Sequence, residues 1–267
     1  MASLIDFLHR LNPLFTLSGF AIGALVGLTG VGGGSLMTPV LVLLFHVHPP
    51  TAVGTDLLYA GLTKIGGAFV HGRNETVDWR VTRRLAMGSV PAAIITLLAL
   101  AHFGQNGATT NQIITTTLGF ALILTAIFLL AQTWVLDRAA ALKDVTVKRA
   151  RVRGFTILLG AVLGVMVSIS SVGAGAIGVT ILWMLYPKLP TVRIVGSDIA
   201  HAVPLTLIAG VGYWWLGSID WAMLVSLLFG SIPGISIASH FSARVPDRVL
   251  RPLLACTLLL VGGRLVF

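Results

Sequence analysis

The chain has 267 residues, of which 56% are hydrophobic and only 10% are charged, and its formal net charge is +9. Soluble globular proteins carry about 25% charged residues, so this composition excludes a soluble enzyme with a hydrated surface, a coiled coil and a disordered chain. It indicates a polytopic membrane protein of the all-α class, whose surroundings are the lipid bilayer.

The positive charge is concentrated in short clusters between apolar runs. Such clusters are typical of cytoplasmic loops, which are enriched in Lys and Arg, and we therefore expect no nucleic-acid partner. The single cysteine, Cys256, excludes an intramolecular disulfide framework and a thiolate metal cluster. The predicted cytoplasmic segments are the basic ones at 72–84, 136–153 and 244–251, and the predicted outer loops, which lack Lys and Arg, are 103–109 and 216–220.

Ten apolar segments follow one another along the chain. A helix needs about 20 residues to cross a hydrocarbon core of about 30 Å, so the second and the seventh segments are too short to cross alone. We expect each short segment to form a hairpin, or a broken and partly re-entrant pair, with the segment before it. In chain order the segments are 14–30, 34–47, 51–71, 79–102, 110–135, 154–172, 175–187, 191–215, 221–243 and 249–267.

Three motifs recur at a spacing of 142 residues, which indicates an internal duplication. Each copy holds five segments, and because that number is odd, the two copies should be inverted about an axis in the membrane plane. The predicted units are a first repeat at 1–135, a basic cytoplasmic linker at 136–153 and a second repeat at 154–267. The recurring motifs are Gly54-Thr55-Asp56 with Gly196-Ser197-Asp198, Val77-Asp78-Trp79 with Ile219-Asp220-Trp221, and Gly88-Ser89-Val90-Pro91 with Gly230-Ser231-Ile232-Pro233.

A glycine-rich break precedes the short segment of each repeat, and the two breaks match at a spacing of 141 residues. Glycine lets the backbone turn with positive φ and approach a ligand closely. The first N–H groups of the helix that follows have no partner within it, and together with the helix dipole they favour an anion. Inversion would bring both helix starts together near the midplane, although the glycines could instead serve only close helix packing. The predicted substrate-binding residues are Gly32, Gly33, Gly34, Ser35, Ser170, Ser171, Gly173, Ala174 and Gly175.

The first break carries a resemblance to a known family. The stretch GLTGVGGGSLMTP at 27–39, with Gly54-Thr55-Asp56 downstream and a degenerate copy in the second repeat, resembles the TauE/SafE sulfite exporter family, also called the toluene-sulfonate uptake permease family. The resemblance covers nearly the whole chain through the repeat. It implies transport of sulfite, sulfonates or related sulfur anions across the bacterial inner membrane. The second copy reads Gly-Ala-Gly where the first reads Gly-Gly-Gly, so the two halves of the site need not contribute equally.

Two carboxylates lie within apolar segments, Asp56 in the first repeat and Asp198 at the equivalent position of the second. A charge inside a membrane is costly unless it is paired or hydrated, so such residues are functional candidates. Each could act as a helix cap or as an acceptor that holds a glycine-rich break, or it could couple transport to a proton or a cation. Direct contact with an anionic substrate is excluded, because like charges repel.

Lys64 and His201 stand on the same two segments. Lys64 follows Asp56 by eight residues, about 12 Å along a helix, so the two do not pair directly. It could attract the anion or a carboxylate of the other repeat, or its side chain could extend to the cytoplasmic end. His201 lies three residues after Asp198, on the same helix face, and could relay protons or serve only as a structural hydrogen-bonding residue. Asp56, Asp198, Lys64 and His201 are therefore predicted coupling or gating residues.

These patterns predict a secondary carrier for sulfite, an organosulfonate or a related small anion, in which one repeat rocks against the other in alternating access. The alternatives are an anion channel and an intramembrane enzyme that uses Asp56, Asp198 and His201 in acid–base chemistry. We expect no cofactor, no bound metal and no ATPase domain. The expected partners are the anionic substrate, a coupling proton or cation and the lipid bilayer of the inner membrane.

Overall fold

The computed structural model of the chain describes residues 12–29, 36–103, 108–141, 149–173, 175–241 and 247–266. These residues form α-helices joined by turns and short irregular segments, with no strand among them, which confirms the predicted all-α class. In chain order the helices are α1 (Pro13–Thr29), α2 (Met37–Leu43), α3 (Pro49–Arg73), α4 (Trp79–Phe103), α5 (Ala108–Ala141), α6 (Arg149–Ser170), α7 (Ala176–Leu185), α8 (Thr191–Trp215), α9 (Trp221–Phe241) and α10 (Asp247–Val266).

Helix length separates candidates for membrane crossing from shorter elements. Within the described residues, five helices are long and apolar enough to span a bilayer, which confirms the prediction of a polytopic membrane protein. Helix α2 has 7 residues and α7 has 10. At 1.5 Å per residue they measure about 10 and 15 Å, so neither can cross a core of about 30 Å. The five spanning candidates are Trp79–His102, Asn111–Gln132, Arg151–Ser170, Thr191–Trp215 and Trp221–Ser239.

The basic segment predicted as a linker is helical at both of its ends. Helix α5 continues to Ala141 and α6 already begins at Arg149, while residues 142–148 lie outside the described ranges. Ala and Arg are strong helix formers, so the helices extend beyond the last apolar residues that marked the segment ends in the sequence.

The most extensive helix contacts all join a helix of one sequence repeat to a helix of the other. Helix α1 packs along α9 and α4 along α6, while α3 packs against α8 and α5 against α10. The first two pairs are equivalent by the repeat, since α1 corresponds to α6 and α9 to α4. The two repeats therefore interdigitate, and their inversion relative to the membrane stays a prediction.

Glycines with a spacing of four residues allow these helices to approach closely. A Cβ atom on Gly23 of α1 would lie 2.6 Å from the carbonyl oxygen of Ser231 in α9. The equivalent Gly164 of α6 lies against the backbone of Ser89 in α4 in the same way. Small residues at such spacing are the usual means by which membrane helices bring their backbones together. The close approach fixes the register of α1 on α9 and of α6 on α4.

Each copy of one recurring motif supplies an aspartate that caps the start of a helix, α4 in the first repeat and α9 in the second. The carboxylate of Asp78 accepts a hydrogen bond from the N–H of Arg80 (2.9 Å), and that of Asp220 accepts one from Met223 (2.9 Å), so both are helix caps. The backbone N–H of Asp78 donates to the Ser197 hydroxyl at 2.8 Å. In the equivalent contact, the N–H of Asp220 donates to the hydroxyl of Thr55 at 3.2 Å. The motifs thus recur because each cap is tied to the other repeat.

Candidate functional site

The glycine-rich break of the second repeat separates α6 from α7. Ser171 has a φ of 58° and Gly173 has a φ of 114°, both in the left-handed region of backbone space. That region is open to glycine and disfavoured for other residues, so Gly173 is required by the path of the chain. The predicted binding residues Gly32, Gly33, Gly34, Ser35 and Ala174 lie outside the described residues.

The two serines of this break differ in how their hydroxyls are used. The buried hydroxyl of Ser170 donates to the Met166 carbonyl at 2.7 Å and accepts from the Val172 N–H at 3.3 Å. The Ser171 hydroxyl oxygen is buried and has no hydrogen-bond partner within the described part of the chain. Ser170 therefore stabilises the break, whereas the hydroxyl of Ser171 makes no such bond within the described part of that break.

The starts of the two short helices lie in a single apolar cluster. Leu36 and Met37 at the start of α2 pack in the same core as Val172 and Ala176 at the start of α7. Neither helix has a hydrogen-bonding side chain at its first position, where Leu36 and Gly175 stand. Residues at the helix starts of both repeats therefore belong to one apolar cluster, and neither start has a side-chain cap.

Asp56 joins elements of both repeats at this cluster. Its side chain is 0% exposed, and its Oδ2 atom accepts a hydrogen bond from the hydroxyl of Thr38 on α2. The hydroxyl of Ser171 also interacts with this carboxylate. The Oδ1 atom of Asp56 makes no hydrogen bond in the described part of the chain. The carboxylate therefore lies between α2 of the first repeat and the break of the second.

Asp198, the equivalent carboxylate, has different neighbours. It is 2% exposed, and its Oδ1 atom lies beside Gly178 of α7, where a Cβ would be 2.5 Å from it. At the 141-residue spacing of the breaks, Thr38 corresponds to Val179, which has no hydroxyl to donate. The Oδ1 atom has no hydrogen-bond partner among the described residues. The two carboxylates are thus equivalent in position but not in chemistry.

Lys64 connects α3 electrostatically to α8. Its ammonium group is attracted most strongly to Asp198 and more weakly to Asp56. The sequence left open whether this lysine attracts an anion, attracts a carboxylate of the other repeat or extends to the cytoplasmic end. The structure places it where the carboxylate of the other repeat, Asp198, is its main electrostatic partner.

His201 is held across the boundary between the repeats. Its Nε2 atom lies 2.7 Å from the hydroxyl oxygen of Ser89 on α4, and both side chains are buried. Its Nδ1 atom has no hydrogen-bond partner in the described ranges. A Ser–His–Asp nucleophile would need Asp198 to bind that Nδ1, but the Oδ1 atom of Asp198 is unpaired as well. The arrangement therefore lacks the acid–histidine link of a hydrolytic triad.

Three residues of this site were not predicted from the sequence. Thr38 follows the first break by three residues, and Ser89 lies within the recurring Gly88–Pro91 motif. Gly178 stands in the short segment after the second break. The sequence does contain a signal for Ser89, because it recurs as Ser231 at the 142-residue spacing. At the same spacing His201 corresponds to Tyr59, which also carries a hydrogen-bonding side chain. The partnership of Thr38 and Gly178 with the carboxylates depends on packing and has no sequence signal.

Comparisons with known proteins match nearly the whole chain. A family model described as sulfite exporter TauE/SafE matches residues 15–265. The probable membrane transporter protein YjnA of Bacillus subtilis (strain 168) is 37% identical over 94% of this chain and 98% of its own length. The probable membrane transporter protein YdhB of the same organism is 27% identical over 95% and 100%, respectively. A probable membrane transporter protein of Methanocaldococcus jannaschii is 27% identical over 75% and 71%. No solved structure matches the chain.

Proposed function

We propose that this chain, which belongs to the sulfite exporter TauE/SafE family, is a secondary carrier for sulfite, an organosulfonate or a related small sulfur-containing anion. The family match over residues 15–265 and the relatives named as membrane transporters make it a multi-pass membrane transporter. The substrate class follows the description of the family. We place the carrier in the bacterial inner membrane with residues 136–153 on the cytoplasmic side, as the basic loops indicate.

The observation that carries the proposal is that the starts of two short helices, one from each repeat, belong to one apolar cluster. Residues at the starts of α2 and α7 lie in that cluster, and neither helix has a side-chain cap. The first N–H groups of a helix, together with the positive end of its dipole, form a site for an anion. An anion at this position would be bound by both repeats at once.

Alternating access requires two bodies that move against each other, and the helix packing indicates which they are. Rocking of one sequence repeat against the other would pull α1 from α9 and α4 from α6, whose backbones are in close contact. We therefore propose that the α1–α9 pair moves relative to the α4–α6 pair, with the anion between α2 and α7. The energy source is a gradient of the substrate or of a coupling ion, with Asp56, Asp198, Lys64 and His201 as coupling or gating residues.

Flux into proteoliposomes tests the proposal. We expect saturable uptake and counter-transport of at least one anion among sulfite, sulfate, thiosulfate, taurine and sulfoacetate. Gly173→Ala forces a side chain into a backbone conformation that costs about 1–3 kcal/mol for residues other than glycine, so flux should fall by about fivefold or more. Gly263→Ala in α10 is the matched control, because a Cβ there meets nothing within 4 Å.

Two outcomes would contradict the proposal. A linear, non-saturating conductance would identify a channel instead of a carrier. Normal flux in the Gly173→Ala protein would show that transport does not depend on the backbone conformation of the break before α7. In both cases fluorescence-detected gel filtration of each variant in detergent establishes that the protein is folded, so that a loss of flux reports on the site.

A further inference from the structure

The two equivalent carboxylates differ in the cation that balances them. Lys64 acts mainly on Asp198, in the other repeat. The residue that corresponds to Lys64 at the 142-residue spacing is Thr206, eight residues after Asp198, just as Lys64 follows Asp56 by eight. By the symmetry of the repeat, a cation at position 206 would interact with Asp56 as Lys64 interacts with Asp198. The chain has a threonine there instead.

Thr206 does not replace the missing cation. It is buried, and its hydroxyl donates to the carbonyl oxygens of its own helix, to Ala202 at 2.9 Å and to Val203 at 3.2 Å. In the part of the chain that the structure describes, Lys64 is the one cation whose charge reaches Asp56. It stands about 12 Å further along the same helix and is attracted more strongly to Asp198. Asp56 is therefore a buried carboxylate without a fixed cation beside it.

Among the described residues, Asp56 has one oxygen atom without a partner, and so does its neighbour Ser171. The Oδ1 atom of Asp56 and the Oγ atom of Ser171 are both buried and make no hydrogen bond of ordinary geometry within the described ranges. The Ser171 hydroxyl nevertheless acts on the Asp56 carboxylate. Buried polar atoms are nearly always satisfied, and an ion or an ordered water is the usual explanation when protein partners are missing. The Thr38 hydroxyl, which donates its proton to Oδ2, keeps lone pairs available on its oxygen.

We propose that Asp56, Ser171 and Thr38 form a site for a sodium ion that is coupled to transport. Carboxylate and hydroxyl oxygens are the ligands that hard cations prefer. A single positive charge offsets one carboxylate, whereas a divalent ion would leave an excess charge. No group of three His, Cys, Asp or Glu side chains lies together in the described residues, so the donor set does not resemble a transition-metal site.

The position of this site gives a physical route to coupling, and this step rests on the proposed carrier function. The sodium ion would tie Thr38 on α2 to Ser171 in the break before α7, one element from each repeat. These are the two helices whose starts form the proposed anion site. Binding of the cation would therefore order the anion site and add a positive charge near it, so each ligand would raise the affinity for the other.

Sodium binding can be measured without any sulfur anion. The purified protein is unfolded thermally in detergent while NaCl replaces choline chloride at constant ionic strength, with KCl as a second arm. We expect a saturable rise of the melting temperature with Na⁺ that Asp56→Asn abolishes. Ser171→Ala should raise the half-saturating Na⁺ concentration by about tenfold or more, the cost of one hydrogen-bonding ligand. The control is Glu75→Gln, which removes an exposed carboxylate of the α3–α4 loop and should keep the full response.

A variant that supplies a fixed cation in place of sodium sharpens the test. Thr206→Lys places an ammonium group at the position equivalent to Lys64, and we expect it to remove the Na⁺ response by occupying the charge position beside Asp56. If that protein does not fold, the Asp56→Asn and Ser171→Ala proteins still decide the question. A Na⁺ response that is unchanged in both of them would overturn the assignment.

Flux measurements separate this proposal from the carrier function on which it rests. Anion flux that persists at full rate without Na⁺, or that is driven by a proton gradient alone, would refute the sodium site and leave the carrier intact. Saturable Na⁺ binding in a protein that transports none of the sulfur anions would support the cation site and refute the proposed substrate. Flux that requires Na⁺ and is lost in Asp56→Asn supports both.

Discussion

The Nε2 atom of His201 lies 2.7 Å from the hydroxyl oxygen of Ser89, so a residue of one repeat is held by a residue of the other. At the 142-residue spacing, His201 corresponds to Tyr59 and Ser89 corresponds to Ser231. Tyr59 and Ser231 interact, but within the described part of the chain their buried oxygen atoms make no hydrogen bond of ordinary geometry. Equivalent positions of the two repeats therefore differ here as well, as they do at Asp56 and Asp198.

Ser89→Ala should destabilise the fold through this contact. The substitution leaves the buried Nε2 atom of His201 without its partner, at a cost of about 1–3 kcal/mol. The melting temperature in detergent should fall accordingly. Ser226→Ala is the matched control, because the buried Ser226 hydroxyl donates to the Ala222 carbonyl of its own helix at 2.7 Å. An equal fall of the melting temperature in both proteins would show that the Ser89–His201 hydrogen bond contributes no more to stability than a bond within one helix.

Gly23→Leu should separate α1 from α9. Its Cβ would lie 2.6 Å from the carbonyl oxygen and 2.7 Å from the Cα of Ser231, and backbone atoms cannot move aside as a flexible side chain can. Overpacking of this kind costs about 1–3 kcal/mol, and a whole leucine should reach the upper end or prevent folding. Gly263→Leu, where a Cβ meets nothing within 4 Å, should fold normally. The yield of monodisperse protein after gel filtration measures both.

Lys64 and Asp198 should be energetically coupled. Lys64→Gln leaves Asp198 without its main cation, and Asp198→Asn leaves Lys64 without its main carboxylate. Each single substitution should lower the free energy of unfolding, and the double substitution should lower it by less than the sum. Interacting residues show coupling energies of about 0.5–3 kcal/mol in such cycles. Additive losses measured by denaturant unfolding in micelles would mean that the two charges do not act on each other.

The membrane class and the family were determined by the sequence alone, and the duplication was predicted from it. Composition and charge spacing are properties of the linear chain, and the motif around Gly54-Thr55-Asp56 identifies its copy without reference to folding. The short lengths of α2 and α7 were predicted for the same reason, because a segment's length is compared directly with the thickness of a bilayer. The helical ends of the linker were missed, since helices extend into polar residues that hydropathy does not mark.

Only the tertiary structure decided which of these residues meet. Lys64 is nearest in sequence to Asp56 but acts mainly on Asp198, and Ser89 reaches His201 across the boundary between the repeats. Such pairs depend on the register and the distance between packed helices, which glycine contacts such as that of Gly23 with Ser231 set in three dimensions. The repeat makes two carboxylates equivalent in the sequence. Packing makes Lys64 act more strongly on Asp198 than on Asp56. Thr206 and not a second lysine stands at the equivalent position, so Asp56 has no lysine of its own.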